Sequence, residues 1–250
     1  MLSNIRILLV RPTHPGNVGA AARAMKNMSL ATLYLVAPQN YPSREASDRA
    51  VGADDVLQDA VICRALDEAL RDCHLVIGTS ARSRRIEWPA LDPGDCAQRL
   101  VEGARQGPVA LLFGQERTGL TNAELDLCHF VVTIPADEHY SSLNLSAAVQ
   151  ILAYEIHRAS AAGVTAPATE VGATEGKPVS SEDMQRFYRH LEEVLQQIEF
   201  LDPDNPRLLM RRLTRLFNRA APDSNEMNIL RGILTAVQRH RTKLDNNSKG

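Results

Sequence analysis

No stretch of the 250-residue chain approaches the roughly 20 consecutive apolar residues that span a bilayer. The apolar run in the opening MLSNIRILLVRP is too short for a secretory signal, so the expectation is a cytoplasmic protein without a membrane partner. Cysteine is scarce: Cys63, Cys73, Cys96 and Cys128 show no CxxC spacing and no histidine at ligand spacing. That pattern argues against a zinc site and predicts reduced, mostly buried thiols and no metal. Net charge is nearly absent, at −2, so no global field draws the chain to nucleic acid or an anionic membrane, and any such partner must meet a local patch. The usual nucleotide fingerprints are missing too. No G-x-G-x-x-G follows a strand and no G-x-x-x-x-G-K-[ST] occurs, which weakens a dehydrogenase or P-loop reading.

What is present is an alternation. Short apolar, β-branched runs, IRILLV (5–10), TLYLVAP (32–38), HLVIGTS (74–80), PVALLFG (108–114) and FVVTIP (130–135), are separated by helical patterns such as NVGAAARAMKNM and DCAQRLVEGARQ. Continuous apolar strands between helices predict a mainly parallel sheet covered on both faces, an α/β domain of five or six strands over residues 1–158. Thr121 and Glu124 form a T-x-x-E capping box that marks a helix start. Residues 159–180 are small and polar without periodicity, as expected of a flexible linker. Residues 181–250 carry apolar side chains at helical spacing and form a helical extension.

Charge is distributed unevenly over these parts. Residues 205–250 hold 10 Lys and Arg against 3 Asp and Glu, whereas residues 161–204 hold 3 against 9. Arg207, Arg211, Arg215 and Arg219, spaced by four, predict one basic stripe on a helix whose buried side is Leu208, Leu209, Leu213, Leu216 and Phe217. Such a run is either a solvated helix face or a phosphate-contacting surface.

Open α/β sheets bind ligands at the carboxyl ends of their strands, and four such loops are heavily decorated. RPTHPGNVGAAARAM opens a helix with small residues and then presents Arg23; GTSARSRRIEW sets Arg82, Arg84 and Arg85 beside Thr79 and Ser80; FGQERTGLTNAEL supplies Gly114, Glu116, Arg117 and Gly119; and ADEHYSSLNLSAAV leads into a helix. In the last, Ser142 or Asn144 is expected to cap that helix, worth roughly 1 kcal/mol over Ala.

Together these loops resemble the three motifs of the knotted SPOUT methyltransferases, in their RNA 2′-O-methylating branch: NVGAAARAM with Asn17 and Arg23, LLFGQERTGL with Gly114 and Glu116, and IPADEHYSSLNLSAAV with Ile134, Ser142 and Asn144. TSARSR, LDEAL, YSSLNL and NILRGIL are closer to one subgroup, the TrmJ-type tRNA (cytidine/uridine-2′-O)-methyltransferases that act on position 32 of the anticodon loop. Motif three of the branch often carries a glycine where this chain has ADEHY. The resemblance implies a deep trefoil knot, which periodicity would not suggest, since threaded chains are nearly absent among proteins. It implies S-adenosyl-L-methionine held largely by backbone at Thr79, Ser80, Ala81, Gly114, Ile134, Ser141, Ser142 and Leu143. It further implies that Arg23 and Ser142 orient the ribose 2′-hydroxyl, with Asn17, Glu116 and Asn144 shaping the site. A guanidinium holds its proton at neutral pH, so orientation and charge stabilisation suit Arg23 better than proton abstraction. Arg82, Arg84 and the arginine stripe are expected at tRNA phosphates. Members of the family act as homodimers in which the motif-one arginine of one subunit approaches the cofactor of the other. Three alternatives stand beside this reading: 2′-O-methylation of another tRNA or ribosomal RNA site, a non-catalytic RNA-binding protein of the same fold, and a small-molecule-binding α/β protein, the last disfavoured by the basic C-terminal segment.

Overall fold

The computed structural model describes residues 1–81, 89–162, 176–204 and 208–247, with side chains described up to Arg241. The chain divides into two compact units, Met1–Ala168 and Thr169–Gly250. The first is built on β1 (Ile5–Val10), α1 (Pro15–Asn27), β2 (Leu33–Val36), α2 (Arg44–Ala50), α3 (Asp54–Gln58), β3 (Val61–Cys63), α4 (Leu66–Leu70), β4 (Leu75–Thr79), β5 (Ala90–Leu91), α5 (Pro93–Gly103), β6 (Val109–Phe113), α6 (Asn122–Leu125), β7 (Phe130–Val132) and α7 (Leu145–Ala161). The seven strands form one sheet in the order β3-β2-β1-β6-β4-β7-β5, every neighbouring pair parallel.

The sheet thus has one strand more than the upper count expected, and two of the seven, β3 and β5, match none of the five apolar runs. β3 is three residues long and exposes Val61 and Ile62, and β5 has two residues, so neither carries the apolar run that marks a buried strand. The other five strands are continuous in apolar character because both faces are covered. Ile5, Ile7 and Leu9 of β1 and Val109, Leu111 and Phe113 of β6 point into a core with α1, α2, α5 and α7. Leu8, Val10, Ala110 and Leu112 point into a second core with Ala69 and Leu70 of α4 and Leu125 of α6. Alternation of side chains across a strand makes both sets possible at once. All four cysteines are buried thiols outside any disulfide, and α7 runs to Ala161, three residues past the expected domain end.

The second unit contains α8 (Ser181–Gln197), α9 (Leu209–Ala220) and α10 (Ser224–Asn247). Ser180 caps α8 by accepting from the Asp183 amide at 3.2 Å, and Asp223 with Glu226 forms a reciprocal capping box at the start of α10. Met184, Phe187, Tyr188, Leu191, Met227 and Leu234 make its core, with Phe217 of α9 edge-on to Phe187 at 4.8 Å. Leu213 and Phe217 face that core as expected, but Leu216 is 44% exposed. With successive residues about 100° apart, Leu216 lies off the face that Leu213 and Phe217 share. Arg211 and Arg215 are half-buried and Arg219 is exposed. Arg82, Arg84 and Arg207, and the middle of the expected linker, lie outside the described residues.

Candidate active site

Strands β1, β6, β4 and β7 are neighbours, so the loops at their carboxyl ends lie side by side. The loops after β4, β6 and β7 enclose a cavity of about 280 Å³. Its lining includes all eight residues expected at the cofactor: Thr79, Ser80, Ala81, Gly114, Ile134, Ser141, Ser142 and Leu143. Phe113, Leu120, Val132, Leu145 and Ala148 supply apolar walls, and Glu116, Arg117, Thr118, His139 and Tyr140 add polar groups. The hydroxyl of Thr79 donates to the Leu112 carbonyl at 2.9 Å, which anchors the end of β4 to β6.

The β6 loop folds back on itself. The Gly119 amide donates to the Gln115 carbonyl at 2.8 Å, and Gly119 sits at φ +67, a left-handed conformation that favours glycine. Gly114 is needed for a different reason: a Cβ there would lie 2.1 Å from both the Gly119 carbonyl carbon and the Leu120 nitrogen. The turn ends in the expected capping box, where the Thr121 amide donates to Glu124 at 2.6 Å and the Glu124 amide to the Thr121 hydroxyl at 3.3 Å. Arg11, at the end of β1, reaches across to Glu124 at 2.8 Å.

Glu116 is the hub. Its carboxylate accepts from the Thr13 amide at 3.0 Å, the Thr13 hydroxyl at 2.8 Å, the His14 amide at 3.1 Å and Asn17 Nδ2 at 3.1 Å. Helix α1 has no acidic residue in its own first turn, so Glu116 brings negative charge to its positive end from another loop. Partial burial pushes the Glu116 carboxyl up, but hydrogen bonds from its own amide, Asn17 and Thr13 outweigh this and hold it at about 2. The chain of contacts continues. Asn144 Nδ2 donates to Asn17 Oδ1 at 3.0 Å, while Asn144 Oδ1 caps α7 by accepting from the Ser146 amide at 2.9 Å and the Ala147 amide at 3.4 Å. Of the two expected caps, Asn144 is the one used. Glu116, Asn17 and Asn144 thus link the three motif loops through one polar relay.

Ser142 is exposed at the cavity and precedes the cap by two residues. Arg23 is exposed on α1, does not line the cavity, and makes no hydrogen bond or ion pair with a described residue. Thr13, whose amide and hydroxyl both serve Glu116, was not singled out from sequence, and only the structure reveals the partner 103 residues away. Arg117, Thr118 and His139 also line the cavity, and no sequence signal marks them, as an exposed polar loop residue has no periodic pattern. Among the described residues, no group of three or more His, Cys, Asp or Glu is arranged to hold a metal ion, and no helix is long and apolar enough to cross a membrane.

Comparison with known proteins accords with this arrangement. Residues 4–154 match the SpoU rRNA Methylase family, and residues 182–247 match the C-terminal domain of the tRNA methyltransferase TrmJ. The chain is 52% identical over 238 residues to the tRNA (cytidine/uridine-2′-O-)-methyltransferase TrmJ of Sodalis glossinidius, covering 95% of this chain and 92% of that protein. The crystal structure of TrmJ from Z. mobilis ZM4 superposes with a TM-score of 0.80 at 34% identity, covering 93% of this chain and 98% of that one. The SpoU methyltransferase AviRb of Streptomyces viridochromogenes, solved in complex with the cofactor AdoMet, is 25% identical with a TM-score of 0.53, covering 63% and 61%. On these matches the chain belongs to the SpoU methylase family, among its TrmJ tRNA (cytidine/uridine-2′-O-)-methyltransferases.

Proposed function

We propose that the protein is a homodimeric enzyme that methylates the ribose 2′-oxygen of cytidine or uridine at position 32 of the tRNA anticodon loop, with S-adenosyl-L-methionine as donor. The observation that carries this reading is the cavity at the ends of β4, β6 and β7, which gathers all eight residues expected at the cofactor. Its apolar walls and hydroxyl-bearing loops suit a nucleoside that carries a sulfonium side chain. Bound S-adenosyl-L-methionine would supply an activated methyl group: the 2′-oxygen would form the new C–O bond as the C–S electron pair returned to sulfur, and the 2′-hydroxyl proton would pass to water.

The chain's own residues align and stabilise. Ser142, at the cavity edge, orients the 2′-hydroxyl, and the relay from Glu116 through Asn17 to Asn144 fixes the start of α7 just beyond it. Arg23 lies away from its own chain's cavity lining, which favours a dimer in which Arg23 of the partner subunit meets the ribose and offsets charge developing on its oxygen. The trefoil knot belongs to the same reading, as does a cytoplasmic location shared with tRNA. In the second unit, Arg211, Arg215 and Arg219 of α9 serve as phosphate contacts, and Arg82, Arg84 and Arg207 are assigned the same role from the sequence alone.

The test is incubation of the purified protein with unmodified tRNA and tritiated S-adenosylmethionine, followed by mapping of 2′-O-methylated nucleotides. Label at C32 or U32 is expected; label confined to another nucleotide would move the site, and cofactor binding without transfer to any tRNA would sink the reading. Arg23→Ala should abolish transfer while leaving tRNA affinity largely intact. Loss of tRNA binding with the rate kept at saturation would make Arg23 a docking residue.

A further inference from the structure

We propose that Tyr140 and Arg117 form a clamp at the mouth of the cavity that grips the target nucleotide, Tyr140 stacking on its pyrimidine ring and Arg117 meeting an adjoining phosphate; this rests on the function proposed above. Tyr140 is 82% exposed, the highest value among the large hydrophobic side chains of the described residues, yet it lines the cavity. Its exposure is built rather than frayed. The Asp137 side chain accepts from the His139 amide at 2.9 Å and the Tyr140 amide at 3.0 Å, and the Asp137 carbonyl accepts from the Tyr140 amide at 3.2 Å, which locks the turn that holds the ring outward. The Tyr140 hydroxyl has no partner among the described residues, so no internal bond accounts for an aromatic ring at this place.

Arg117 lines the same cavity from the β6 loop, whose backbone is pinned by the Gly119 to Gln115 hydrogen bond and by the Thr118 hydroxyl donating to Gln115 Oε1 at 2.9 Å. Its side chain makes no ion pair or hydrogen bond with a described residue. The adjacent carboxylate, Glu116, is turned to Thr13, His14 and Asn17. An exposed guanidinium without an ion-pair partner among the described residues, at the rim of a cavity, is suited to a phosphate oxygen. β6 and β7 flank β4 in the sheet, so the two loops rise about 10 Å apart at their roots, at roughly 4.8 Å per strand. A nucleotide entering between them would present its base to one side and its backbone to the other.

The clamp also bears on substrate choice. A stacked contact reads the face of a base and not its edge. Cytidine and uridine differ on that edge, in the amino or oxo group at C4 and the protonation of N3, so a tyrosine face accepts both.

The experiment compares wild type with Tyr140→Ala, Tyr140→Phe, Arg117→Ala and Arg117→Lys, with folding checked by thermal melting and S-adenosylmethionine affinity by calorimetry. Transfer is followed on tRNAs with C32 and with U32, and tRNA binding is read separately by fluorescence anisotropy. Tyr140→Ala should lower kcat/KM and tRNA affinity by roughly 5- to 150-fold for both tRNAs, the range expected for one lost base stack. Tyr140→Phe should stay close to wild type, and both should keep cofactor affinity. Arg117→Ala should reduce the salt slope of binding by about one, with Arg117→Lys retaining it. The clamp is overturned if Tyr140→Ala binds tRNA as wild type does, if its loss is matched by lost cofactor affinity, or if Tyr140→Phe is as damaged as Tyr140→Ala. Wild type that binds tRNA without transferring methyl would defeat the methyltransferase reading alone, since anisotropy still decides the clamp.

Discussion

Replacing Glu116 by Gln keeps the side chain's size and removes its ability to accept on both arms. The carboxylate receives four donors on two oxygens, Thr13 amide and hydroxyl on one and His14 amide and Asn17 Nδ2 on the other. With the new NH₂ group toward His14 and Asn17, two donors lose their acceptor; with it toward Thr13, the hydroxyl can turn to accept and only the Thr13 amide is left without one. A hydrogen bond to a charged group contributes about 1.5–3 kcal/mol, and this group is half-buried, so the loss of one or two comes to roughly 2–4 kcal/mol. For a domain of this size that lowers Tm by roughly 5–15 °C. Because Asn17 hands the contact on to Asn144, transfer should fall at temperatures where Glu116→Gln is still folded. Differential scanning calorimetry with parallel methyl-transfer rates reads both quantities. A melting shift below about 1 °C with an unchanged rate would refute the view that this relay holds the three loops together.

Asn144→Ala should destabilise by about 1 kcal/mol through loss of the α7 cap, and Asn144→Asp should restore stability without restoring the rate, since it caps but cannot donate to Asn17; equal rescue of both in a melting and transfer series would refute the coupling. Gly114→Ala places a Cβ 2.1 Å from the Gly119 and Leu120 backbone, an overlap costing about 1–3 kcal/mol, and calorimetry should show weakened S-adenosylmethionine binding as the β6 loop is displaced; wild-type affinity would contradict the assigned wall. His129 is buried, its ring Nδ1 accepting from the Val76 amide at 3.0 Å, and burial lowers its pKa to about 4. A neutral imidazole is thus favoured in the fold, so its contribution is fully present above the unfolded value of about 6.5 and is lost as pH falls from there toward 4. Chemical denaturation across that range should show a slope that His129→Asn flattens; an unchanged slope would assign the acid sensitivity to other groups.

The long strands and the helices with apolar periodicity were legible in the sequence because both sheet faces are buried and the pattern is local. β3 and β5 were not: two or three residues with exposed or proline-flanked neighbours give no periodic signal. Helices α2 and α3 escaped for the same reason, since α2 buries only Ala46 and Ala50. The cavity residues were reachable through motif resemblance, whereas the relay was not, because its links join residues 99 and 127 positions apart. Leu216 shows the converse limit, an apolar side chain at helical spacing that the packing leaves outside.

Methyl transfer to tRNA from an equal mixture of Arg23→Ala and Ser142→Ala chains decides whether one subunit's Arg23 serves the other's site. Wild type should methylate the tRNA ribose and each variant alone should be silent. In the mixture half of the dimers are hybrids, and each hybrid has one site with an intact Ser142 facing an intact Arg23 of the partner subunit. About a quarter of wild-type activity should return under two-fold symmetry. No methyl on tRNA from wild type, or a mixture that stays as silent as its parts, would contradict that arrangement.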